Sequence, residues 1–420
     1  MLEALKVSIY GLNYWPEPTG NAPYTTALAE HLARNGAEVC VKAGMPYYPY
    51  WSVPPEYGRT LRRSDARNGV AIRRYRQYVP TTQSALRRLG FEGSFLVNAA
   101  LSKDAQRPNV VVGILPALAD GMLAAMASRR YSVPMVLIVQ DLLGSAAEQS
   151  GVSGGAKVAA ATSKLEGWVC RQASAIGVVA TGFRDRLVGL GVPGERIHLT
   201  RNWTHIEAPT IDRVEIRARL DLPQERFIAL HAGNMGLKQG LDHLIEAAKV
   251  AKNASPDTLF VLMGDGNQRE RLQSLASSLD NVRFIPPQND TLFPSILAAS
   301  DALLVNQLPT VTDMSLPSKL TSYFSVGKPV VAAVSEQSET AKVVVESCGG
   351  LLVDPSKPEA LVGALNSLSA DTGLAQRIGN HGRVYADSHL SAEAALRRLE
   401  DLICGAQRGA AVALKGLTTA

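Results

Sequence analysis

Short runs of Val, Ile and Leu alternate with amphipathic helical patterns along almost the whole chain, and this rhythm constrains the fold more than any single residue does. "KVSIYG" (6–11), "EVCVKAG" (38–44), "VVVGILP" (110–116), "PMVLIVQD" (134–141) and "AIGVVAT" (175–181) are nearly unbroken in apolar content. A strand with one wet face alternates polar and apolar residues, whereas a strand covered on both faces does not. Such runs, separated by helical patterns such as 25–34 and 157–172, predict a parallel sheet with helices on both sides. The class is α/β, doubly wound.

The segment "NWTHIEAPTIDRVEIRARLDLP" interrupts the rhythm, which then restarts with "FIALHAGNMG" (227–236), "TLFVLMGDG" (258–266), "NVRFIPP" (281–287), "DALLVNQ" (301–307), "PVVAAV" (329–334) and "GGLLVD" (349–354). A second sheet of the same kind is expected. The predicted domains are 1–205 and 206–390, with a helix over 391–404 crossing back to the first and a disordered tail over 405–420. Two Rossmann-like domains facing across a cleft would collect ligands there, because the carboxyl ends of parallel strands face it.

A chain of 420 residues exceeds one ordinary core, consistent with two domains. Its four cysteines, Cys40, Cys170, Cys348 and Cys404, form no CxxC pair, which argues against a zinc site or a disulfide framework and fits a reducing cytosol. "MLEALKVSIYG" carries no secretory signal, and Pro116 and Asp120 break the most apolar stretch into strand, loop and helix. The expectation is a cytoplasmic protein whose membrane contact, if any, is peripheral, on the inner face of the plasma membrane.

The formal charge of +5 is modest, but nine arginines (Arg59, Arg62, Arg63, Arg67, Arg73, Arg74, Arg76, Arg87 and Arg88) crowd one segment with Asp65 as its only acid. Tyr57, Leu61, Tyr75, Tyr78 and Leu89 lie among or beside them. Basic groups beside apolar ones suit an anionic membrane, each nearby cation contributing about 1 kcal/mol. A solvated face is the equal alternative. Nucleic acid is not favoured, because no binding motif accompanies the patch.

Two turns have the makings of anion sites. "AGNMGLKQGLDHLIEAA" is a strand end, a Gly-rich turn with Gly233, Asn234 and Gly236, then Lys238 and a helix. Glycines let the main chain approach a ligand, and a helix amino end offers N–H groups to an anion. In "DMSLPSKLTSYFSVGKPVV" (313–331), Pro317 and Ser318 open a helix beside Lys319. Each alone is also an ordinary capped turn; together they suggest a diphosphate held between them. "GDGNQRERL" (264–272) fits no dinucleotide GxGxxG pattern, and "GLDHL" completes no P-loop. The loop "GLNYWPEPTGNAPY" (11–24) is longer and more aromatic than a simple reversal requires.

In this order, "GNMGLKQGLD", "GDGNQRERL" and "PSKL…GKPVV" resemble the nucleotide-sugar half of GT-B glycosyltransferases of family four. "YGLNYWPEPTGNAPYTTALAEHLARNG", "AGMPYYPYW", "PALADG", "VQDLLGSAAEQSG" and "RNW" extend the likeness over about residues 5–400, toward bacterial enzymes of colanic acid biosynthesis, fucosyltransferase-like. The resemblance implies retaining transfer from a nucleoside-diphosphate sugar, without metal or other cofactor, to a lipid-linked sugar acceptor of surface polysaccharide. It implies that Gly233, Asn234, Gly236, Lys238, Ser318 and Lys319 hold the donor diphosphate, with Gly20 near it. Phe284 and Ile285 would seat the base, and Asp313 is the candidate for the ribose. Tyr14, Trp15 and Tyr24 would stack an acceptor sugar or else pack the domain's own rim. Asp141 would orient or deprotonate the acceptor hydroxyl, or else cap the next helix.

Two departures stand out. The family's paired glutamates fall on Met314 and Ser322 here, and Asn21 and Ala22 stand where a second glycine is expected. An epimerase of the same fold, or a non-catalytic sugar-nucleotide binder, therefore stays open as an alternative.

Overall fold

The computed structural model describes residues 5–18, 20–81, 84–101, 106–142, 155–204, 206–255, 257–311 and 318–418. Two compact units divide the chain: Met1–Asn202 with Ala395–Ala420, and Trp203–Ala394.

In the first unit, β1 (Lys6–Tyr10), β2 (Glu38–Gly44), β3 (Arg62–Arg67), β4 (Val70–Tyr75), β5 (Val110–Leu115), β6 (Met135–Val139), β7 (Ala175–Val178) and β8 (Ile197–Leu199) form one sheet in the order β3-β4-β2-β1-β5-β6-β7-β8. All neighbours pair parallel except β3 with β4. That antiparallel pair was not expected. It turns on Asn68 and Gly69, both at positive φ (46° and 81°), the conformation that an Asn-Gly hairpin turn requires. Arg62, Arg63 and Arg67 thus lie on the edge strand β3, while Arg73 and Arg74 lie on its inner neighbour β4 and Arg87 and Arg88 on the helix Ala85–Ala100; charged side chains on an edge strand discourage further pairing.

The second unit holds β9 (Phe227–Ala232), β10 (Thr258–Met263), β11 (Val282–Ile285), β12 (Ala302–Asn306), β13 (Val330–Ala333) and β14 (Gly350–Val353), all parallel, in the order β11-β10-β9-β12-β13-β14. Successive residues of β10 enter opposite cores: Leu259, Val261 and Met263 pack on one face, Phe260 and Leu262 on the other. Coverage on both faces is why the strand reads as unbroken apolar sequence.

The tail expected to be disordered from Gly405 is a correction: it continues one helix, Ala392–Thr418. Alanine, leucine and lysine are strong helix formers, and over this length they outweigh the penalty of the interspersed glycines. Earlier in the same helix, Glu400 accepts hydrogen bonds from His31 and Asn35, both at 2.7 Å, fastening it to the end of the helix Ala22–Arg34. No described helix is long and apolar enough to cross a membrane.

Candidate functional site

In the second unit, strand order reverses between β9 and β12, and a ligand crevice in such sheets opens at that switch point, outside the carboxyl ends. The Gly233 turn follows β9, and the helix Ser318–Ser325, which carries Lys319, follows β12. The main chain leaves β9 through Gly233 (φ 126°) and leaves β10 through Gly264 (φ 142°) and Gly266 (φ 153°). A Cβ on Gly264 would stand 1.9 Å from the Gly233 carbonyl oxygen, and one on Gly266 2.5 Å from that of Met235. The two turns therefore touch through bare main chain, locked by Met235 N donating to Asp265 O at 2.7 Å.

Lys319 lies across this junction. A Cβ on Gly233 would meet its Cε at 2.7 Å, so the lysine stem occupies the space that the glycine leaves open. The helix Ser318–Ser325, which Ser318 opens, is held at the end of β9 by Tyr323, whose hydroxyl accepts from Ala232 N (2.8 Å) and donates to Ala232 O (3.2 Å). Burial pushes the Lys319 amine down to about 8. It is a desolvated cation, or near-cation, in want of a counter-ion.

Lys238 lies in the short 3-10 turn Leu237–Gln239 and is exposed. The helix expected directly after it begins only at Asp242, beyond Gly240 (φ 53°), so the turn's own geometry, not a helix amino end, presents the lysine. Its main chain is tied to the end of β12. Asn306 Nδ2 donates to Gln239 O (2.6 Å) and Gly240 O (2.8 Å), and Leu308 N donates to Lys238 O (2.9 Å). Lys238 and Lys319 thus leave the same end of the same sheet. Asn234 is exposed, and a Cβ on Gly236 would come 3.0 Å from both the Asn234 and Gln239 side chains.

Phe284 is half-buried and Ile285 buried at the end of β11. The Ile285 carbonyl already accepts from Gly264 N (3.0 Å) and Arg269 (3.2 Å), which leaves the exposed Pro286 and Pro287 as the free rim there. Asp313 and Met314 lie outside the described residues, and Ser322 is half-buried on the helix Ser318–Ser325.

The first unit has its own pocket, again at a reversal of strand order, where β1 lies between β2 and β5. A cleft of about 320 Å³ is lined by Asn13, Gly20 and Asn21 after β1, Tyr47, Tyr48 and Trp51 after β2, Pro80, Arg88 and Phe91, and Pro116 after β5. Gly20 adopts φ 68° beside the Tyr48 ring. Tyr47 packs edge-on with Trp51 and Phe91, at centroid distances of 5.2 and 5.0 Å, and the Trp51 and Phe91 rings lie tilted at 6.1 Å. Buried Glu17 braces the wall: it accepts from Tyr47 N (2.9 Å), Tyr48 N (3.0 Å) and Asn13 Nδ2 (2.8 Å). A smaller cavity of about 50 Å³ continues to Asp120, whose carboxyl accepts from Leu12 N at 2.9 Å and is pushed well above the usual carboxylate range by burial.

This corrects the expected stacking platform. Tyr14 is 1% exposed and belongs to the core, so no sugar can lie on it. Trp15 is half-buried with the Arg67 guanidinium 4.8 Å from its ring, and Tyr24 is half-buried on the helix Ala22–Arg34. The aromatic surface comes instead from half-buried Tyr48 and Trp51, backed by buried Tyr47 and Phe91. Asp141 is exposed and accepts from Leu142 N (2.8 Å), and it is not among the residues lining the cleft.

The basic segment also divides. Arg74 is 1% exposed, paired with Asp65 at 2.9 Å and bonded to the Trp15 and Gly44 carbonyls. Arg63 pairs with Asp65 (2.8 Å) and Arg67 with Glu30 (2.7 Å). Arg59, Arg62 and Arg87 are exposed beside exposed Leu61 and Leu89, and exposed Arg88 pairs with Glu92 at 3.1 Å.

Residues 212–385 match the glycosyl transferases group 1 family, and residues 19–203 match the glycosyl transferase 4-like domain. A protein of Escherichia coli (strain K12) named as the colanic acid biosynthesis glycosyl transferase WcaI is 32% identical over 418 residues, covering 96% of this chain and 100% of the relative. The chain is a glycosyltransferase of this family. Another relative, the lipopolysaccharide core biosynthesis glycosyltransferase LpsE of Rhizobium meliloti, is 29% identical over 217 residues, 51% of this glycosyltransferase and 59% of LpsE. Among solved structures, Anabaena HepE in complex with UDP superposes with a TM-score of 0.65 at 16% identity, over 96% of this chain and 100% of HepE. WaaG, a glycosyltransferase involved in lipopolysaccharide biosynthesis, gives 0.64 at 17% identity, over 95% and 100%. The two doubly wound units of this glycosyltransferase are those of the GT-B fold.

Proposed function

We propose that this glycosyltransferase moves a sugar, with retention, from a nucleoside-diphosphate sugar to a lipid-linked oligosaccharide in the assembly of a surface polysaccharide. The observation that carries the reading is the pair of lysines at the switch point of the second unit, one of them seated on Gly233. Departure of a nucleoside diphosphate builds negative charge on phosphate oxygens, and preorganised cations and main-chain donors lower that barrier. Lys319 and Lys238 supply the cations, and the glycine turns let main-chain N–H groups approach. Support for a nucleotide donor comes from HepE, a protein of the same fold solved with UDP. The names of WcaI and LpsE support surface polysaccharide as the product class. The aromatic cleft of the first unit is the candidate acceptor site, since sugar rings stack on such walls and hydrogen-bond to Asn and Arg groups.

Thermal-shift measurement against UDP-, GDP-, dTDP- and ADP-sugars tests the donor. One nucleotide class should raise Tm in a concentration-dependent way, since a ligand that binds only the native state stabilises it. No shift with any of them would sink the reading. Ser322, standing where the family carries a glutamate, favours a second reading, a donor binder without transfer. Donor binding with neither hydrolysis nor transfer to lipid-linked acceptors would select it.

Membrane docking has a separate test. Reversing the exposed Arg59, Arg62 and Arg87 to Glu should abolish co-flotation with anionic vesicles and leave Tm unchanged. Arg74 has to be spared, because breaking a buried pair costs about 3–5 kcal/mol. Unchanged flotation of the triple variant would reject the docking surface.

A further inference from the structure

Lys319 does more than lie near the glycine turn: it reaches past the end of β9 to His231. Alternation along a strand sends Ile228, Leu230 and Ala232 to the face that carries Leu320, Tyr323 and Phe324, while His231 belongs to the other face. The lysine arises from the helix on the first face, yet its Nζ stands 3.2 Å from His231 Nε2. The route is open because Gly233 has no side chain, and a Cβ there would collide with the lysine stem at 2.7 Å. Tyr323, one turn further along the same helix, clamps the helix to Ala232. The helix and the tip of the lysine are thus anchored separately.

We propose that His231 is a positioning residue for donor binding: its neutral ring accepts a hydrogen bond from the Lys319 ammonium and holds that charge over the glycine turn, ready for a diphosphate oxygen. The proposal rests on the donor-diphosphate reading of this end of the sheet.

The chemistry of the pair is consistent. Burial, and then the charge of Lys319, hold His231 well below the ordinary imidazole value, so the ring is neutral. An ammonium offers only donors, which requires a lone pair on Nε2 and puts the ring proton on Nδ1. The main chain of Leu304 and Asn234 faces the His231 ring. A histidine can hold the lysine in place without neutralising it, whereas a carboxylate would compete with the incoming phosphates. Because the amine titrates near 8 when no anion is present, an arriving diphosphate should draw a proton onto it.

Calorimetric titration of the full chain with inorganic pyrophosphate and with UDP, at about pH 8.5 in buffers of different ionisation heat, measures that proton. A group of pKa about 8 is about three-quarters deprotonated there, so wild type should take up close to that fraction of a proton per UDP bound, the diphosphate of UDP being already fully ionised at that pH. His231→Leu should free the lysine into solvent, abolish the uptake and weaken pyrophosphate about tenfold. His231→Gln, whose amide oxygen reaches a similar point, should restore most of the affinity; His231→Asn, too short, should not. Wild-type uptake and affinity in a cooperatively melting His231→Leu would overturn the proposal, as would equal behaviour of the Gln and Asn variants should His231→Leu not fold. Failure of wild type to bind pyrophosphate and UDP would instead overturn the donor reading, and this inference with it.

Discussion

Lys319→Met is expected to lower transfer by about 10²–10³-fold, the usual cost of removing one preorganised donor from a developing oxyanion. Methionine keeps an unbranched stem over Gly233, so packing is retained and the charge alone is lost. Stability should not fall, and the linkage gives the sign. The folded amine titrates at about 8 against an ordinary 10.5, so the unfolded chain binds more protons between those values. Lys319 therefore holds native stability down by a constant amount below about pH 8, and that penalty is relieved as pH rises toward 10.5. Removing the amine should raise Tm at neutral pH and flatten its rise between pH 8 and 10. Donor affinity has the opposite sign, weakening above about pH 8 as the free amine loses its proton. Lys238→Ala should cut transfer to a similar extent with Tm unchanged, since that side chain is exposed. Transfer near wild-type rate in either variant would remove the phosphate role from that lysine.

The second large effect is expected from Gly264→Ala. At φ 142° an L-residue is strained, by about 1–3 kcal/mol, and here the new methyl would also stand 1.9 Å from the Gly233 carbonyl oxygen. The turn after β9 has to move, and Lys319, which lies over Gly233, moves with it. Denaturant unfolding should show a loss of about 3 kcal/mol or more, with donor-induced thermal shift abolished. Gly363→Ala is the control. Nothing lies within 4 Å of a Cβ at Gly363, which is inside the helix Pro358–Ala370, so alanine should stabilise by about 0.5–1 kcal/mol. Donor binding retained in a stable Gly264→Ala protein would contradict the stacked-turn account.

Much of this was legible in order of residues alone. Unbroken Val/Ile runs announced parallel strands because both faces of each are covered, and "GNMG" and "GDG" announced close main-chain approach because no other residue adopts those angles freely. The Asn68-Gly69 turn was equally readable, but arginines in "RRSDARNGVAIRRYR" masked a hairpin whose inward residues, Val70, Ile72 and Arg74, are buried. Arg74 was read as surface because a lone arginine gives no sign of the carboxylate and carbonyls that will enclose it. Tyr14 and Tyr47 illustrate the same limit. Both are buried aromatic residues in loops after strands, yet only Tyr47 lines the cleft.

What the order of residues determined was therefore the periodic part: fold class, two sheets, the glycine turns and the two lysines beside them. These depend on local backbone conformation and on patterns within a few residues, which a linear chain expresses directly. Tertiary structure decided which aromatics face solvent, which arginines pair, and that Lys319 crosses Gly233 to meet His231. Such outcomes depend on groups far apart in the chain being brought together, from Asn13 with Tyr47, 34 residues apart, to His231 with Lys319, 88 residues apart, and no spacing rule encodes such meetings.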